Sequence, residues 1–297
     1  MSAIAECLSK AELGEPQTHR NLSLFPLLAD GIAEPDYLLL DEALGRGCAR
    51  VTEVSEQGSV PELRFVNECD APVLLLDGEE LVGAKQNRIL NLSVLVPAHK
   101  TIVVPVSCVE AGRWHAQSAE LGSAGRTHYA AGRARKASQV SASLSSTGTR
   151  RSDQSEVWAD IAAKSERLQS FSRTGAAAAM YDSHRPRLDE YLRAFSPVPA
   201  QLGALFTPNG RVLGLDLFDS ADTLSKLMPK LVGSYAMDAL DRFNPVSETP
   251  QKTVAEEFLR VVGAAEMSAH EAVGMGTDLR FQSQFVAGGA LEVDERV

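Results

Sequence analysis

Between Tyr37 and Val109 the chain is cut into short runs, each closed by Gly, Pro, Asn or Asp, and this spacing limits what it can fold into. The runs are Tyr37–Leu40, Ala49–Val54, Glu62–Val66, Val73–Leu76, Arg88–Val96 and Thr101–Val109. They are too short for helices of ordinary length, and their Val, Leu and Ile content suits a pleated surface, so the first third reads as strands. In Arg88–Val96 the alternation puts Arg88, Leu90, Leu92, Val94 and Val96 on one face, as in a half-buried strand. The turn Pro97–Lys100 leads from it into Thr101–Val109, which predicts a hairpin.

From about Ser152 the period changes. Val157, Trp158, Ile161, Ala162 and Leu168 recur mostly at three- and four-residue steps behind Ser152 and Asp153, predicting a helix from about Asp153 to Phe171. A second helix is expected over Pro186–Phe195, stopped before Pro197. After the tight-turn signal Asn209-Gly210, Arg211–Phe218 alternates as a strand with Val212, Gly214, Asp216 and Phe218 on one side. Leu224, Leu227 and Leu231 mark a helix disturbed at Pro229. Thr249-Pro250 supplies a cap and first-turn proline for another helix, carrying Val254, Phe258, Val261 and Val262. A hairpin around Gly288-Gly289 ends the chain. Strands first and mixed elements later predict an α+β fold with a β-rich N-terminal portion and a helix-plus-hairpin C-terminal portion. Neither a Gly-x-Gly-x-x-Gly after a strand nor a P-loop is present, so the usual dinucleotide and triphosphate signatures are missing.

Residues 1–18 show no periodicity and read as a flexible tail. No apolar run approaches the ~18 residues that cross a bilayer, and the first ten residues lack a basic start and an apolar centre, so no membrane and a cytoplasmic location are expected. Hydrophobic residues at 44% and charged residues at 23% exclude wholesale disorder. Cys7, Cys48, Cys69 and Cys108 are widely spaced with no Cys-x-x-Cys pair, and read as reduced thiols. The histidines show no ligand spacing, so no metal is expected, and no cofactor is specified.

The net charge of −10 disfavours general nucleic-acid coating. It conceals an asymmetry. Between Ala111 and Arg151 lie Arg113, Arg126, Arg133, Arg135, Lys136, Arg150 and Arg151 against the single acid Glu120, a local excess of +6. Rich in Ser, Gly and Ala, this stretch reads as a solvated loop or, alternatively, as an anion-binding strip whose Arg forks match phosphate.

Two clusters carry the polar side chains that could do chemistry. Asp77-Gly78-Glu79-Glu80, then Lys85-Gln86-Asn87-Arg88 and Asn91, sit among strands, where such residues are disfavoured. They are either an exposed hairpin or a site in which Glu79 or Glu80 pairs with Lys85 while Gln86, Asn87 and Asn91 orient a ligand. The second cluster, Glu110 to His115, follows a strand and offers Arg113 for a phosphate and Trp114 for stacking on a base.

The runs DGEELVGAKQNRILN at Asp77–Asn91 and VPVSCVEAGRW at Val104–Trp114 resemble a bacterial protein domain named for its association with ADP-ribosylglycohydrolases and rhodanese-phosphatases. HYAAGRARK at His128–Lys136, SDQSEVW at Ser152–Trp158 and NGRVLGLDLF at Asn209–Phe218 are similar to the same family. The likeness spans roughly Asn21 to Phe243. It implies a family domain over 19–243, with a β-rich part at 19–118, the basic segment at 111–151 and an α+β part at 152–243, followed by an extension at 244–297. It also implies a link to ADP-ribose, NAD-derived or nucleic-acid-related processing, with no defined reaction. Carried onto this chain, its motif residues are Glu79, Glu80, Lys85, Gln86, Asn87, Arg88, Asn91, Glu110, Arg113, Trp114, Arg133, Lys136, Asp153, Gln154 and Trp158.

Three readings follow. In the first, the chain binds or processes a phosphorylated ribose or nucleotide derivative such as ADP-ribose, with Glu79 or Glu80 as acid or base, Lys85 as partner, Arg113, Arg133 and Lys136 meeting the charge and Trp114 the base. In the second, the same pocket belongs to a non-catalytic sensing or partner-binding module. In the third, the +6 strip touches RNA. A homodimer is the default assembly.

Overall fold

The computed structural model describes residues 3–29, 34–243, 250–284 and 286–294, and its fold is α+β. The strand-rich first part closes on itself. Strands Thr101–Cys108, Glu62–Asn67, Ala49–Glu53, Glu120–Thr127, Glu79–Gly83 and Arg88–Leu90 pair in that order around a six-stranded antiparallel barrel. So small a barrel is filled by its own side chains: Val51, Leu63, Phe65, Leu81, Leu90, Val104, Val106 and Leu121 belong to one buried cluster. Closure also removes the unpaired edges that an open sheet exposes.

The second core forms around the helix Ala221–Asp241. The helix runs unbroken through Pro229 and is buried along most of its length. It packs on a five-stranded sheet centred on Leu22–Leu28 and Gln201–Pro208, with Gly214–Leu217 at one edge. The helix Gln154–Arg167 starts where expected, because the Asp153 side chain accepts the backbone N–H groups of Ser155 and Glu156. The helix Arg185–Ala194 also matches its expectation.

Several sequence expectations are corrected. Arg88–Val96 is two strands, since Arg88–Leu90 joins the barrel while Val94–Val96 pairs with Val73–Leu75 in a separate sheet. The chain breaks at Asn91, which is buried and hydrogen-bonded to the Ser107 hydroxyl at 2.5 Å and the Arg150 carbonyl at 2.9 Å. The basic segment is no loop: it holds the strand Glu120–Thr127 and the helix Ala130–Thr147. Alanine favours helix, and the small Ala130, Gly132, Ala137 and Ser141 let that helix pack closely. Residues 3–10 of the expected tail form a helix whose Ile4 packs against Val262 and Val286. Cys48 and Cys69 are joined by a disulfide, which corrects the reduced-thiol reading for that pair. The distant sequence positions meet because Ala49–Glu53 and Glu62–Asn67 are barrel neighbours, with Ala49 opposite Asn67. A helix follows the Thr249-Pro250 signal at Lys252–Gly263, though Thr249 itself lies outside the described residues. A terminal hairpin forms from Thr277–Gln282 and Ala287–Glu292, with Met267–Glu271 as a third strand, but Gly288 and Gly289 lie within the second strand, paired with Phe281 and Arg280, rather than at the turn. No helix among the described residues is long and apolar enough to cross a membrane.

Candidate functional site

A cavity of about 390 Å³ opens between the helix Ala130–Thr147, the edge strand Gly214–Leu217 and the C-terminal helix and sheet. Its walls are largely apolar, with Leu74, Leu95, Leu215 and Phe258 among them. Apolar walls with a few convergent polar groups are the usual form of a small-molecule site. Here the polar groups are Asp77, Arg133, Asp216 and Tyr235.

Local sequence explains how they meet. Asp77 ends the segment after Val73–Leu75, and the chain then turns at Gly78, whose φ is +80°. A Cβ at Gly78 would lie 2.8 Å from the Arg133 Cγ, so glycine is needed both for the turn and for the passage of that side chain. Arg133 Nη2 donates to Asp216 Oδ1 at 2.5 Å and Nη1 to Asp216 Oδ2 at 3.3 Å, while Nε lies 3.7 Å from Asp77 Oδ2. That Nε is buried with no hydrogen-bond partner in the protein. Lys136, one turn further along the helix, is buried and donates to Asp77 and to the Leu90 carbonyl. Tyr235, from the long helix, donates to Asp216 Oδ2 at 2.9 Å and stacks on Phe206 at 4.0 Å. Gly214 makes room for it, since a Cβ there would sit 2.5 Å from the Tyr235 hydroxyl.

Burial works to deprotonate Arg133, but the charges of Asp216 and Asp77 outweigh it and raise its pKa, so it remains a cation. Burial, then the Asp216 charge, pushes Tyr235 well above its ordinary value and keeps it a donor. Lys136 is lowered because burial exceeds the help of Asp77.

The other predicted site residues go elsewhere, and none of Glu79, Glu80 or Lys85 lines this cavity. Glu79 is fully buried, accepts from Lys230 at 2.5 Å and from the Leu76 amide at 2.8 Å, and is raised by burial. Glu80 accepts from Arg126 at 2.6 Å, and Arg126 lies over Tyr181. Lys85 therefore partners neither acid; it donates to the Glu56 carbonyl and sits 5.3 Å from the centroid of Trp114.

Gln86, Asn87, Glu110 and Arg113 form a clamp across the barrel rim. Arg113 donates through Nε to Glu110 at 2.8 Å, through Nη1 to the carbonyls of Ala84 and His115, and through Nη2 to the Gly83 carbonyl and the Asn87 side chain. Each of its nitrogens is thereby engaged, leaving none for a phosphate. Gln86 donates to the Glu110 carbonyl, and the Asn87 amide to the Glu110 carboxylate. Burial tends to raise Glu110, but hydrogen bonds from Arg113, Thr174 and Asn87 prevail and lower it.

The +6 strip does not survive folding as a cationic surface. Arg113, Arg126, Arg133, Arg135, Lys136 and Arg150 pair with Glu110, Glu80, Asp216, Asp160, Asp77 and Asp278, acids drawn from outside the segment.

The sequence reading missed Asp216 and Tyr235 as site residues. Asp216 left a signal, as a lone acid on the otherwise apolar face of an alternating strand. Tyr235 left none, because nothing local marks which face of a uniformly buried helix meets a cavity.

Residues 10–297 match the model of the ARG and Rhodanese-Phosphatase-superfamily-associated Protein domain, and the chain belongs to that family. The match continues through the C-terminal helix and sheet, beyond the Asn21–Phe243 span of the recognisable motifs. The family is one associated with ADP-ribosylglycohydrolase and rhodanese-phosphatase proteins, which is compatible with a role linked to ADP-ribose. No curated protein and no solved structure matches the chain.

Proposed function

We propose that the chain binds an ADP-ribose-like or NAD-derived metabolite in this cavity, with a ribose directed at Asp77 and Asp216. The observation that carries the reading is the partly open, largely apolar cavity lined by the Asp77–Arg133–Asp216–Tyr235 cluster. Carboxylates accept from sugar hydroxyls, and apolar walls suit a base. Acids Asp36, Asp77, Asp216, Asp219 and Asp294 on the lining outnumber Arg133, so the phosphates belong toward the mouth and the hydroxyls inside. Asp77 and Asp216 are already tied to cations but keep acceptor capacity, which suits recognition rather than turnover. Family membership is compatible with a role linked to ADP-ribose and supports the choice of ligand.

Thermal unfolding against ADP-ribose, NAD, AMP, ribose-5-phosphate and inorganic phosphate tests this. A ligand at ~100 times its dissociation constant adds roughly 2.7 kcal/mol. The expected result is stabilisation by ADP-ribose well beyond phosphate, lost in Asp216→Asn. A flat panel, or equal stabilisation by phosphate, overturns the reading.

A further inference from the structure

Away from the cavity, the barrel rim holds a buried guanidinium whose hydrogen-bonding capacity is unmet. Arg88 is 0% exposed, donates through Nε to the Val60 carbonyl at 3.1 Å, and has no partner within the protein for Nη1 or Nη2. A buried group in that condition is costly unless something else satisfies it. Beside it, Glu53 accepts the Lys85 amide through Oε1, while its buried Oε2 lacks a partner. Gly58, at φ +76°, packs closely beside these groups: a Cβ there would lie 3.1 Å from Lys85 Cδ and 3.2 Å from Glu53 Oε2, so a larger residue would crowd them. Trp114 forms the outer wall. The residue is 47% exposed, with the Lys85 ammonium 5.3 Å and the Arg88 guanidinium 5.7 Å from its ring centroid.

The chemistry left over is specific. Two parallel guanidinium donors fit two oxygens of one oxyanion. Lys85 and Arg88 exceed Glu53 by one positive charge, which one anion neutralises. The unpartnered Glu53 oxygen adds a demand for a donor, and an oxyanion that still carries a proton has one. A phosphate in its partly protonated form meets all three conditions, whereas sulfate at neutral pH cannot donate.

We propose that Arg88, Lys85 and Glu53 form a second ligand site for a phosphate monoester, with the Trp114 ring as a cover that swings aside and stacks on a base when the phosphate belongs to a nucleotide. Neighbouring Glu110 and Arg113 neutralise each other within the clamp and take no part.

Trp114 and Trp158 are the only tryptophans, so a Trp158→Phe background makes fluorescence report on Trp114 alone. Inorganic phosphate, sulfate, AMP and adenosine are titrated at low ionic strength. The expected result is a saturable change with phosphate and a larger one with AMP, with neither sulfate nor adenosine reproducing it. Lys85→Ala and Arg88→Lys each weaken the response roughly tenfold, the second because a point charge replaces a fork. Glu53→Gln erases the preference for phosphate over sulfate, a readout that general loss of structure does not produce. Asp216→Asn leaves the response intact, which separates this site from the cavity. Silence up to about 10 mM phosphate and AMP, a weakness corresponding to under ~3 kcal/mol of binding, would assign the Arg88 nitrogens to buried water and overturn the proposal. An equal response to sulfate, or one unaltered by Lys85→Ala, would show an adventitious ion only and overturn it too.

Discussion

Arg113 on the barrel rim and Arg133 in the lining of the cavity are both buried, and both come from the same basic segment. They differ in what surrounds them. Arg113 is ringed by one carboxylate, one amide oxygen and three backbone carbonyls, so its donors are consumed within a clamp that ties two stretches of chain, Gly83–Asn87 and Glu110–His115. Arg133 shares its charge between two carboxylates that also face open space, and keeps one nitrogen unengaged. Positive charge in a sequence therefore says little about anion binding until the partners of each group are known. A saturated cation is scaffold, while one beside a cavity with capacity to spare is a site.

The sharpest way to break this contrast is Arg113→Ala. Removing one partner of a buried, hydrogen-bonded ion pair costs about 3–5 kcal/mol, and denaturant unfolding should show a loss of that size with binding at the cavity unchanged in the protein still folded. A loss below about 1 kcal/mol would return Arg113 to the ligand-binding candidates. Next in size is the disulfide that ties the first two barrel strands. Cys48→Ser with Cys69→Ser releases a loop with a sequence separation of 21 and should lower stability by about 3 kcal/mol without altering cavity binding. Unfolding with and without reductant checks this: the natural chain should be sensitive to reductant and the double variant should not.

Asp216→Asn probes the other side of the contrast. It leaves the Arg133 charge less compensated and should cost about 1–3 kcal/mol in stability, while abolishing stabilisation by ADP-ribose. If stability falls while stabilisation by ADP-ribose persists, Asp216 is scaffold as well. The smallest effect concerns His128, which lies beside Tyr129. Burial, aided by Lys136, Lys164, Arg135 and Arg133, lowers its pKa well below 6.5. The folded chain then binds fewer protons there than the unfolded one, so this contribution is level above pH 6.5 and turns against folding as pH falls below it. The slope reaches at most about 1.4 kcal/mol per pH unit, and His128→Gln should remove it from urea midpoints measured between pH 7 and 5. Glu110 adds a separate loss at lower pH: its folded pKa is depressed, so its stabilisation is present above the ordinary carboxylate value of 4.5 and fades as acidity protonates it.

Much of the fold was legible because it is written locally. The strand runs of the first third were found nearly in place, since alternation and punctuation act over a few residues, and Asp153 announced its helix through its own cap. The helix Ala130–Thr147 was illegible because most of its buried face is alanine, glycine, serine, arginine and lysine, with only Val140 and Leu144 as large apolar residues. Those cations tolerate burial only because Asp77 and Asp216 arrive from elsewhere in the chain, and no local rule reports that. The candidate site was legible in part for the same reason. Arg133 and Lys136 were singled out, and Asp77 lay within a quoted motif, but Lys85 was matched to Glu79 and Glu80 by proximity in sequence. The barrel gives those acids Lys230 and Arg126 instead.

Ala134 permits the most direct test of the cavity as the ligand site. It lines the cavity from an exposed position on its helix, so Ala134→Trp places a large ring in the space with little disturbance of the core. Titration calorimetry with ADP-ribose on the natural chain and on this variant, after unfolding curves confirm equal stability, is the measurement to make. The expected result is saturable heat from the natural chain and none from the variant. Equal affinity in both would contradict it and place the ligand elsewhere on the molecule.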